Sequence, residues 1–330
     1  MSGHRLRFIS AADVAKALPM REAIVTMRKA FTLVSSGRAI IPPRTVIEIP
    51  DRGGSLLFMP SLLSEEARFG VKIVSLFAGN PGRGLPRIQS LVVLSDGETG
   101  SPLAVIEGGS LTALRTGAAS GSATQALARE DSSVAAIFGA GVQGRTQLEA
   151  VAAVRPIVRA LVFDPSAEAR EGFAREMSAS LGIEVAAASS PAEALRDADI
   201  ICTATISAMP VFDDRELKPG AHINAVGSYK PDRREIPSAT VARSRVFVDQ
   251  RDSAMEEAGD LLIARREGYV SASATWTELG ELFSGSSPGR QDRDEITLFK
   301  SVGVGIQDLV AADVVLASAE RLNIGTLVEL

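Results

Sequence analysis

The sequence predicts an α/β protein in two parts: a doubly wound parallel-sheet domain over residues 119–304, and a discontinuous α+β domain made of residues 1–118 and a C-terminal helix at 305–330. Three observations predict it. From Val134 onward, short apolar runs alternate with helix-like segments, the pattern of a parallel sheet covered on both faces. Before Ser110 the chain gives one helical stretch and then closely spaced apolar runs separated by turn residues, the pattern of a mostly antiparallel sheet. A last helical stretch, about Ile306 to Leu322, falls after the alternating unit is complete and so returns to the first part.

Taken in order, Ala11 to Ser35 has helical spacing, with Val14, Leu18, Ile24, Met27 and Phe31 among its apolar positions, and Pro42-Pro43-Arg44 breaks it. Strands follow at Thr45 to Ile49, Ser55 to Met59, Gly70 to Phe77, Gln89 to Leu94 and Pro102 to Glu107. Asp51-Arg52-Gly53-Gly54 and Asp96-Gly97-Glu98-Thr99-Gly100 mark turns between them. Ser110 to Leu127 reads as a helix rich in small residues. The candidate parallel strands are Val134 to Phe138, Ala160 to Phe163, Ile183 to Ala187, Asp199 to Ala204, His222 to Val226 and Val246 to Val248, with Ile296 to Phe299 leading into the last helix. Ser284 to Pro288 is the one stretch that reads as a flexible linker.

Phe138 to Gly144 carries the strongest chemical signal. Val134 to Phe138 runs into Gly139-x-Gly141-x-x-Gly144 and the helix-like Arg145 to Val154, and twenty residues past Gly144 a second apolar run ends in Asp164. Strand, glycine turn, helix, strand and terminal carboxylate are the parts of a dinucleotide-binding Rossmann unit. Gly139 permits the turn, Gly141 lets backbone approach a pyrophosphate, and Gly144 lets helix and strand pack closely. The helix N-terminus offers N–H groups to the phosphate, and Asp164 can accept from a ribose diol. Asp164 favours NAD(H), since a carboxylate repels the 2′-phosphate of NADP(H). Pro165-Ser166 follows it rather than an arginine, but Arg170 is near in sequence, which leaves NADP(H) open.

Composition narrows the chemistry. The 330 residues carry a net charge of −5, with 45% hydrophobic and 23% charged residues, an ordinary globular balance without the basic footprint of a nucleic-acid binder. No signal-peptide core stands between Met1 and Lys16 and no apolar run reaches membrane-spanning length, so the cytoplasm is the expected compartment. The single cysteine, Cys202, excludes an intrachain disulfide and a cysteine-rich metal site. Of the two histidines, His4 lies at the terminus and His222 reads as a satisfied strand residue, so acid–base work falls to a lysine or a carboxylate.

Three charges stand where charge is expensive. Lys72 interrupts the apolar run Phe69 to Phe77; burial there would lower its pKa and suit proton transfer or imine chemistry, the alternative being a lysine on the strand's wet face. Arg115 is the only charged residue between Gly108 and Ala128, and it needs a fixed anion, either a protein carboxylate or a ligand's. Arg44 follows two prolines whose rigid backbone can aim it at a carboxylate, although a plain surface arginine fits as well. Thr203-Ala204-Thr205 and Val226-Gly227-Ser228-Tyr229 each close a strand at the sheet edge where such folds bind ligands, with Gly227 giving backbone access to a nicotinamide or ribose; a plain turn is the alternative for each.

Together these residues resemble the ornithine cyclodeaminase/mu-crystallin family over essentially the whole chain. The matching stretches are Pro42-Pro43-Arg44, Phe58-Met59-Pro60, Gly70-Val71-Lys72, Leu111-Thr112-Ala113-Leu114-Arg115-Thr116, the glycine fingerprint, and Phe299-Lys300-Ser301-Val302-Gly303 with Gln307-Asp308. The resemblance implies that Arg44 and Arg115 clamp the carboxylate of a small amino or imino acid and that Lys72 contacts the substrate near the reacting carbon. It implies that Thr116, Val142, Gln143, Asp164, Thr203, Thr205, Val226, Gly227 and Ser301 line the dinucleotide with Arg115, and that Val302 lies near the substrate. Met59 and Tyr229 are candidates to shape the pocket. It also implies a homodimer built through the first domain.

One departure matters. Where the cyclodeaminases have Gly-Asp-x-Pro-Gly-Lys, this chain has Ser228-Tyr229-Lys230-Pro231-Asp232-Arg233, so Tyr229 replaces the aspartate assigned to cyclisation and ammonia loss. A neutral phenol is no carboxylate base at neutral pH. The string looks more like the imine-reductase branch, which implies an NAD(P)H-dependent reductase of pyrroline- or piperideine-2-carboxylate. Cyclodeaminase activity, alanine-dehydrogenase-like oxidation and non-catalytic binding of NAD(P)H and a small ligand remain the alternatives.

Overall fold

The computed structural model describes residues 5–330, so His4 lies outside the described residues. The chain divides into two units, one running to Arg115 and taken up again at Val304–Leu330, the other spanning Thr116–Gly303.

The first unit begins with β1 (Arg5–Ile9), α1 (Ala11–Ala17) and α2 (Met20–Ser35). The single helix expected over Ala11 to Ser35 is thus two. Pro19, the N-cap of α2, cannot continue α1 and holds Leu18 out of the helical region. Short β2 (Ala39–Ile40) and β3 (Thr45–Ile49) follow, then the long hairpin of β4 (Gly54–Leu63) and β5 (Arg68–Phe77), β6 (Ile88–Asp96) and β7 (Pro102–Glu107). The Glu107 carboxylate accepts the N–H groups of Gly109 and Ser110, satisfying the start of α3 (Gly108–Leu127), within which the division between the units falls.

The second unit continues with β8 (Val134–Phe138), α4 (Val142–Val154), β9 (Arg159–Phe163), α5 (Ala167–Leu181), β10 (Glu184–Ala187), α6 (Pro191–Leu195), β11 (Ile200–Thr203), β12 (His222–Ala225), α7 (Ser238–Arg243), β13 (Ser244–Val248), α8 (Arg251–Glu257), α9 (Gly259–Arg266), β14 (Thr277–Glu278), α10 (Leu279–Phe283) and β15 (Ile296–Lys300). Its sheet runs β10-β9-β8-β11-β12-β15-β13-β14, every pair parallel. Parallel strands buried on both faces need apolar residues at successive positions. In β8, Ala136 and Phe138 pack with Leu195, Val241 and Leu261 on one face, while Ala135 and Ile137 pack with Leu148, Val151 and Phe173 on the other. Ser284 to Pro288 is no linker, for it lies inside this unit and is fastened to the end of α10 through Ser286 N–H to Glu281 O and Ser284 Oγ to Glu281 O.

The first unit closes with α11 (Gly305–Leu322) and β16 (Thr326–Glu329). The helix expected to 330 therefore ends at Leu322: Asn323 (φ 51°) and Gly325 (φ 83°) take left-handed backbone and turn the chain into a strand. The first sheet runs β16-β1-β7-β6-β5-β4-β2, with β3 also on β4, and only the β1–β7 pair is parallel. Leu57, Met59, Ser61 and Leu63 alternate into the buried face of β4, and α11 lies across β4, β5 and β6. Gly305 makes that approach close, since a Cβ there would stand 3.1 Å from the carbonyl oxygens of Met59 and Pro60.

Candidate functional site

Two sets of groups, one in each unit, hold almost every candidate residue. In the first unit, Lys72 sits opposite Met59 on β4 and Val92 on β6, with all three side chains on the sheet face that α11 covers. One turn into α11, Asp308 meets it. Lys72 Nζ is 2.7 Å from Asp308 Oδ2 and Arg115 Nε is 3.0 Å from Oδ1, with these side chains 5% exposed or less. Arg115 Nη1 donates to Gln307 Oε1 at 2.7 Å. So the partner that the Arg115 guanidinium needs is a protein carboxylate.

The electrostatics follow from this packing. Burial pushes the Lys72 ammonium down from 10.5, Asp308 opposes that, Arg115 and then Arg44 add to it, and the result is about 8. Arg44, half-buried, is therefore close enough for its charge to act on Lys72. Burial alone would raise the Asp308 carboxyl, but Arg115 and Lys72 outweigh it and hold it below the ordinary aspartate value. Two cations thus meet on one buried carboxylate, Lys72 on Oδ2 and Arg115 on Oδ1.

In the second unit the glycine turn has the form a pyrophosphate cradle requires. Gly139 has φ 101°, which only glycine adopts without strain. A Cβ on Gly144 would lie 2.1 Å from Gly139 O, whereas one on Gly141 would meet nothing within 4 Å. Gly141 is the N-cap of α4 without a side-chain cap, so the first N–H groups of that helix, from Val142 onward, have no side chain competing for them. Arg145 braces the turn from behind, donating to Ala140 O at 2.6 Å and Gly141 O at 3.2 Å. Gln143 Oε1 is buried with no hydrogen-bond partner among the described residues. The Asp164 carboxylate accepts Ala140 N–H at 3.0 Å and Ser166 N–H at 2.9 Å, one on each oxygen, and Arg170 Nη1 donates to Asp164 O. These residues fit a dinucleotide.

Along the same sheet edge the strand ends are tied by buried carboxylates that the sequence reading did not single out. Glu235 accepts from Thr203 Oγ1 at 3.0 Å and from the N–H groups of Thr205, Gly227 and Ser228 at 2.6, 2.8 and 3.2 Å. A Cβ on Gly227 would stand 2.4 Å from Thr205 O and 2.5 Å from Glu235 Oε1, so the chain's own packing requires the glycine. Val226 N–H donates to Thr203 O at 2.9 Å. Asp249 Oδ2 accepts Ser301 Oγ and the N–H groups of Val302 and Gly303 at 2.9, 2.9 and 2.7 Å. Lys300 pairs with Asp260 at 2.8 Å and donates to Ser228 O. Val302 packs in the core of this unit with the partly buried Tyr229 against that core, and the carbonyl of Thr116 accepts from Gln147 Nε2.

Some residues are structural. His222 is buried, with its ring nitrogens 2.9 Å from Thr297 Oγ1 and 3.2 Å from Asn224 Oδ1. A depression of about 700 Å³ lined by Phe212, Asp214, Arg234, Glu267 and Tyr269 contains none of the expected site residues, and its charges pair with one another or with nearby arginines. Among the described residues no group of His, Cys, Asp or Glu is placed to hold a metal ion, and no helix is long and apolar enough to cross a membrane.

The profile of the ornithine cyclodeaminase/mu-crystallin family matches residues 6–323. The chain belongs to that family. It is 38% identical over 322 residues to a Δ1-pyrroline-2-carboxylate reductase of Bacillus cereus, covering 97% of this chain and 99% of that one. Among solved structures, the Δ1-pyrroline-2-carboxylate reductase of Thermococcus litoralis in complex with NADH and L-proline superposes with a TM-score of 0.93 at 42% identity, covering 97% and 99% of the two chains. An archaeal alanine dehydrogenase dimer with bound NAD gives a TM-score of 0.91 at 33% identity, covering 99% of each. Asp308, which the sequence offers only within the matching stretch Gln307-Asp308, is the acid that Lys72 and Arg115 share.

Proposed function

We propose that this member of the ornithine cyclodeaminase/mu-crystallin family reduces small cyclic imino acids of the pyrroline-2-carboxylate or piperideine-2-carboxylate kind with NADH. The observation that carries the reading is the buried Lys72–Asp308–Arg115 cluster: a fold in need of stability alone gains little from burying two cations on one acid. The reductases and the alanine dehydrogenase that this chain resembles act in the same chemical range.

In this reading Arg44 and Arg115 hold the substrate carboxylate, and Asp308 with Gln307 fixes the plane of the Arg115 guanidinium so that it presents one orientation. Holding the imino acid in one pose contributes several kcal/mol to barrier lowering, on the order of 7–11 at the upper end. Lys72, with a pKa near 8, carries a proton at neutral pH and directs it at the imine nitrogen, which gains electron density as the C=N bond is reduced. Met59, paired with Lys72 across the strands, shapes the substrate end of the first unit. Gly139, Gly141, Val142, Gln143, Gly144 and Asp164 would hold the dinucleotide with Arg115, Thr116, Thr203, Thr205, Val226, Gly227 and Ser301, and the bound reduced nicotinamide supplies a hydride to the imine carbon. The carboxylate at Asp164 favours NADH over NADPH.

The reading includes a homodimer in the cytoplasm. On the sheet face of the first unit that α11 does not cover, Pro60, Val71, Val93 and Val105 form one cross-strand row, and Phe58, Ile73 and Leu91 the next. Leu91 is 48% exposed there and Phe69 38%. An apolar sheet face of this extent favours cover by a second copy.

The deciding experiment follows NADH absorbance after pyrroline-2-carboxylate is added to the purified protein. Rapid oxidation with formation of proline is the expected result. Bound NADH that is not oxidised by any cyclic imino acid would overturn the reductase reading.

A further inference from the structure

We infer that Glu235 and Asp249 are positioning residues whose fixed negative charges favour the oxidised, cationic form of the nicotinamide over the neutral reduced form. The inference rests on the reading that the second unit holds NAD(H). The order β10-β9-β8-β11-β12-β15 fixes the direction of the dinucleotide: the phosphate turn follows β8 and Asp164 ends β9, so the nicotinamide half lies on the other side of β8, over the C-terminal ends of β11, β12 and β15.

Those are the strand ends that the two carboxylates gather. Glu235 takes four donors from the residues closing β11 and β12, and Asp249 takes three from the turn after β15. Both side chains are fully buried. Lys300 neutralises Asp260, whose Oδ1 accepts the N–H groups of Glu235 and Ile236. Among the described residues the donors that reach Glu235 and Asp249 are main-chain N–H groups and hydroxyls, with no cation within ion-pair distance of either. Main-chain donors favour the charged form of a buried carboxylate without cancelling its charge. Burial and then Asp260 raise the pKa of Glu235, while Lys300 and the Thr205 N–H pull it back.

Each carboxylate accepts on both oxygens, Thr205 N–H on Oε1 of Glu235 and Gln250 N–H on Oδ1 of Asp249, so each fastens its loops and also brings a charge to the sheet edge. The charge itself has a use if the bound ring becomes cationic. It then favours release of hydride and resists its return.

The test compares Kd for NAD+ and for NADH, by calorimetry and by NADH fluorescence, in the parent, Asp249→Asn and Glu235→Gln, with thermal melts to establish folding. Asp249→Asn is the cleaner variant, because an amide oxygen in place of Oδ2 keeps the donors from Ser301, Val302 and Gly303 and gives up only the Gln250 N–H on Oδ1. The expected result is a rise in the ratio Kd(NAD+)/Kd(NADH) of about tenfold, the order of effect of one charge acting through a protein interior of effective dielectric about 20. Equal weakening of both forms means the carboxylates only fasten loops, and overturns the inference while leaving the functional reading intact. If neither variant folds, the parent decides: NAD+ bound at least as tightly as NADH supports the inference, and NADH bound much more tightly overturns it. A parent that binds neither form overturns the functional reading and the inference with it.

Discussion

Lys72 Nζ lies 2.7 Å from Asp308 Oδ2, and the same carboxylate holds Arg115 through its other oxygen. One acid therefore sets both the protonation of the lysine and the aim of the arginine. Because Asp308 is the main influence opposing the depression of the Lys72 pKa, Asp308→Asn lowers that pKa below about 8. With Lys72 acting in its protonated form, kcat/KM of the parent falls as pH rises through about 8, and in Asp308→Asn the same limb moves to lower pH. Lys72→Ala loses turnover by about 10²–10⁴-fold, the usual range for a positioned proton donor, and keeps its NADH affinity. A parent profile that rises through pH 8 would make Lys72 a base and refute the assigned role; equal activity in Lys72→Ala would remove the role altogether.

Arg115→Lys tests the clamp. The guanidinium spends Nε on Asp308 and Nη1 on Gln307 and so is locked in plane, which an ammonium cannot reproduce. Steady-state kinetics should show KM for the imino acid rising about tenfold or more, the cost of one charge-assisted hydrogen bond. An unchanged KM would place the substrate carboxylate elsewhere.

Gly141 and Gly144 separate ligand approach from folding. Gly144→Ala drives a Cβ to 2.1 Å from Gly139 O, a backbone atom that cannot yield, so both the melting temperature and NADH affinity fall. Gly141→Ala meets nothing in the chain and should melt like the parent, yet it places a methyl group where the cofactor phosphates approach. Fluorescence titration should therefore show weakened NADH binding in Gly141→Ala without loss of stability. Parent-like binding would remove Gly141 from the cradle.

The dinucleotide unit was legible because each of its parts is local: a strand, a turn and a helix start within eleven residues of Val134, and Asp164 ends the next strand. Lys72 and Arg115 were legible as charges set among apolar or small residues. Their common partner was not, because Asp308 lies 193 residues from Arg115 and only the tertiary fold joins them. Glu235 and Asp249 were hidden for the same reason, each being an ordinary acid beside a strand or loop until its donors converge. That the missing Cβ of Gly227 makes room for Glu235 was hidden too, because the two meet only in the folded chain. The split of the first helix, by contrast, was available in Pro19 itself, and apolar spacing on both sides concealed it.

Leu91→Asp tests the assembly. Leu91 pairs with Ile73 in the middle of the open sheet face, and a carboxylate buried there against a second copy would go unpaired. Light scattering should give a dimer for the parent and a monomer for Leu91→Asp, with the fold of each unit retained. A parent that is monomeric at micromolar concentration would end the dimer proposal.

His222 governs part of the response to acid. Burial, reinforced by the charge of Arg290 and opposed by its contact with Asn224, pushes its pKa down to about 3 from 6.5, so the folded protein keeps the ring neutral while the unfolded chain protonates it. A depressed folded pKa means the stabilisation is complete above pH 6.5 and drains away as pH falls from there towards 3. Each pH unit in that window removes about 1.4 kcal/mol through this one group. Asp199 and Asp308, whose folded pKa values are also lowered, add losses of the same sign at lower pH. The His222→Gln variant separates the contributions: it retains hydrogen-bonding atoms towards Thr297 and Asn224 but cannot titrate. Urea unfolding at intervals between pH 6.5 and 4.5, above the range where those aspartates dominate, should give a slope of stability against pH shallower than the parent's by roughly that amount per unit. Parallel slopes would mean that the ring is already protonated in the fold, and that its contacts with Thr297 and Asn224 do not keep it neutral.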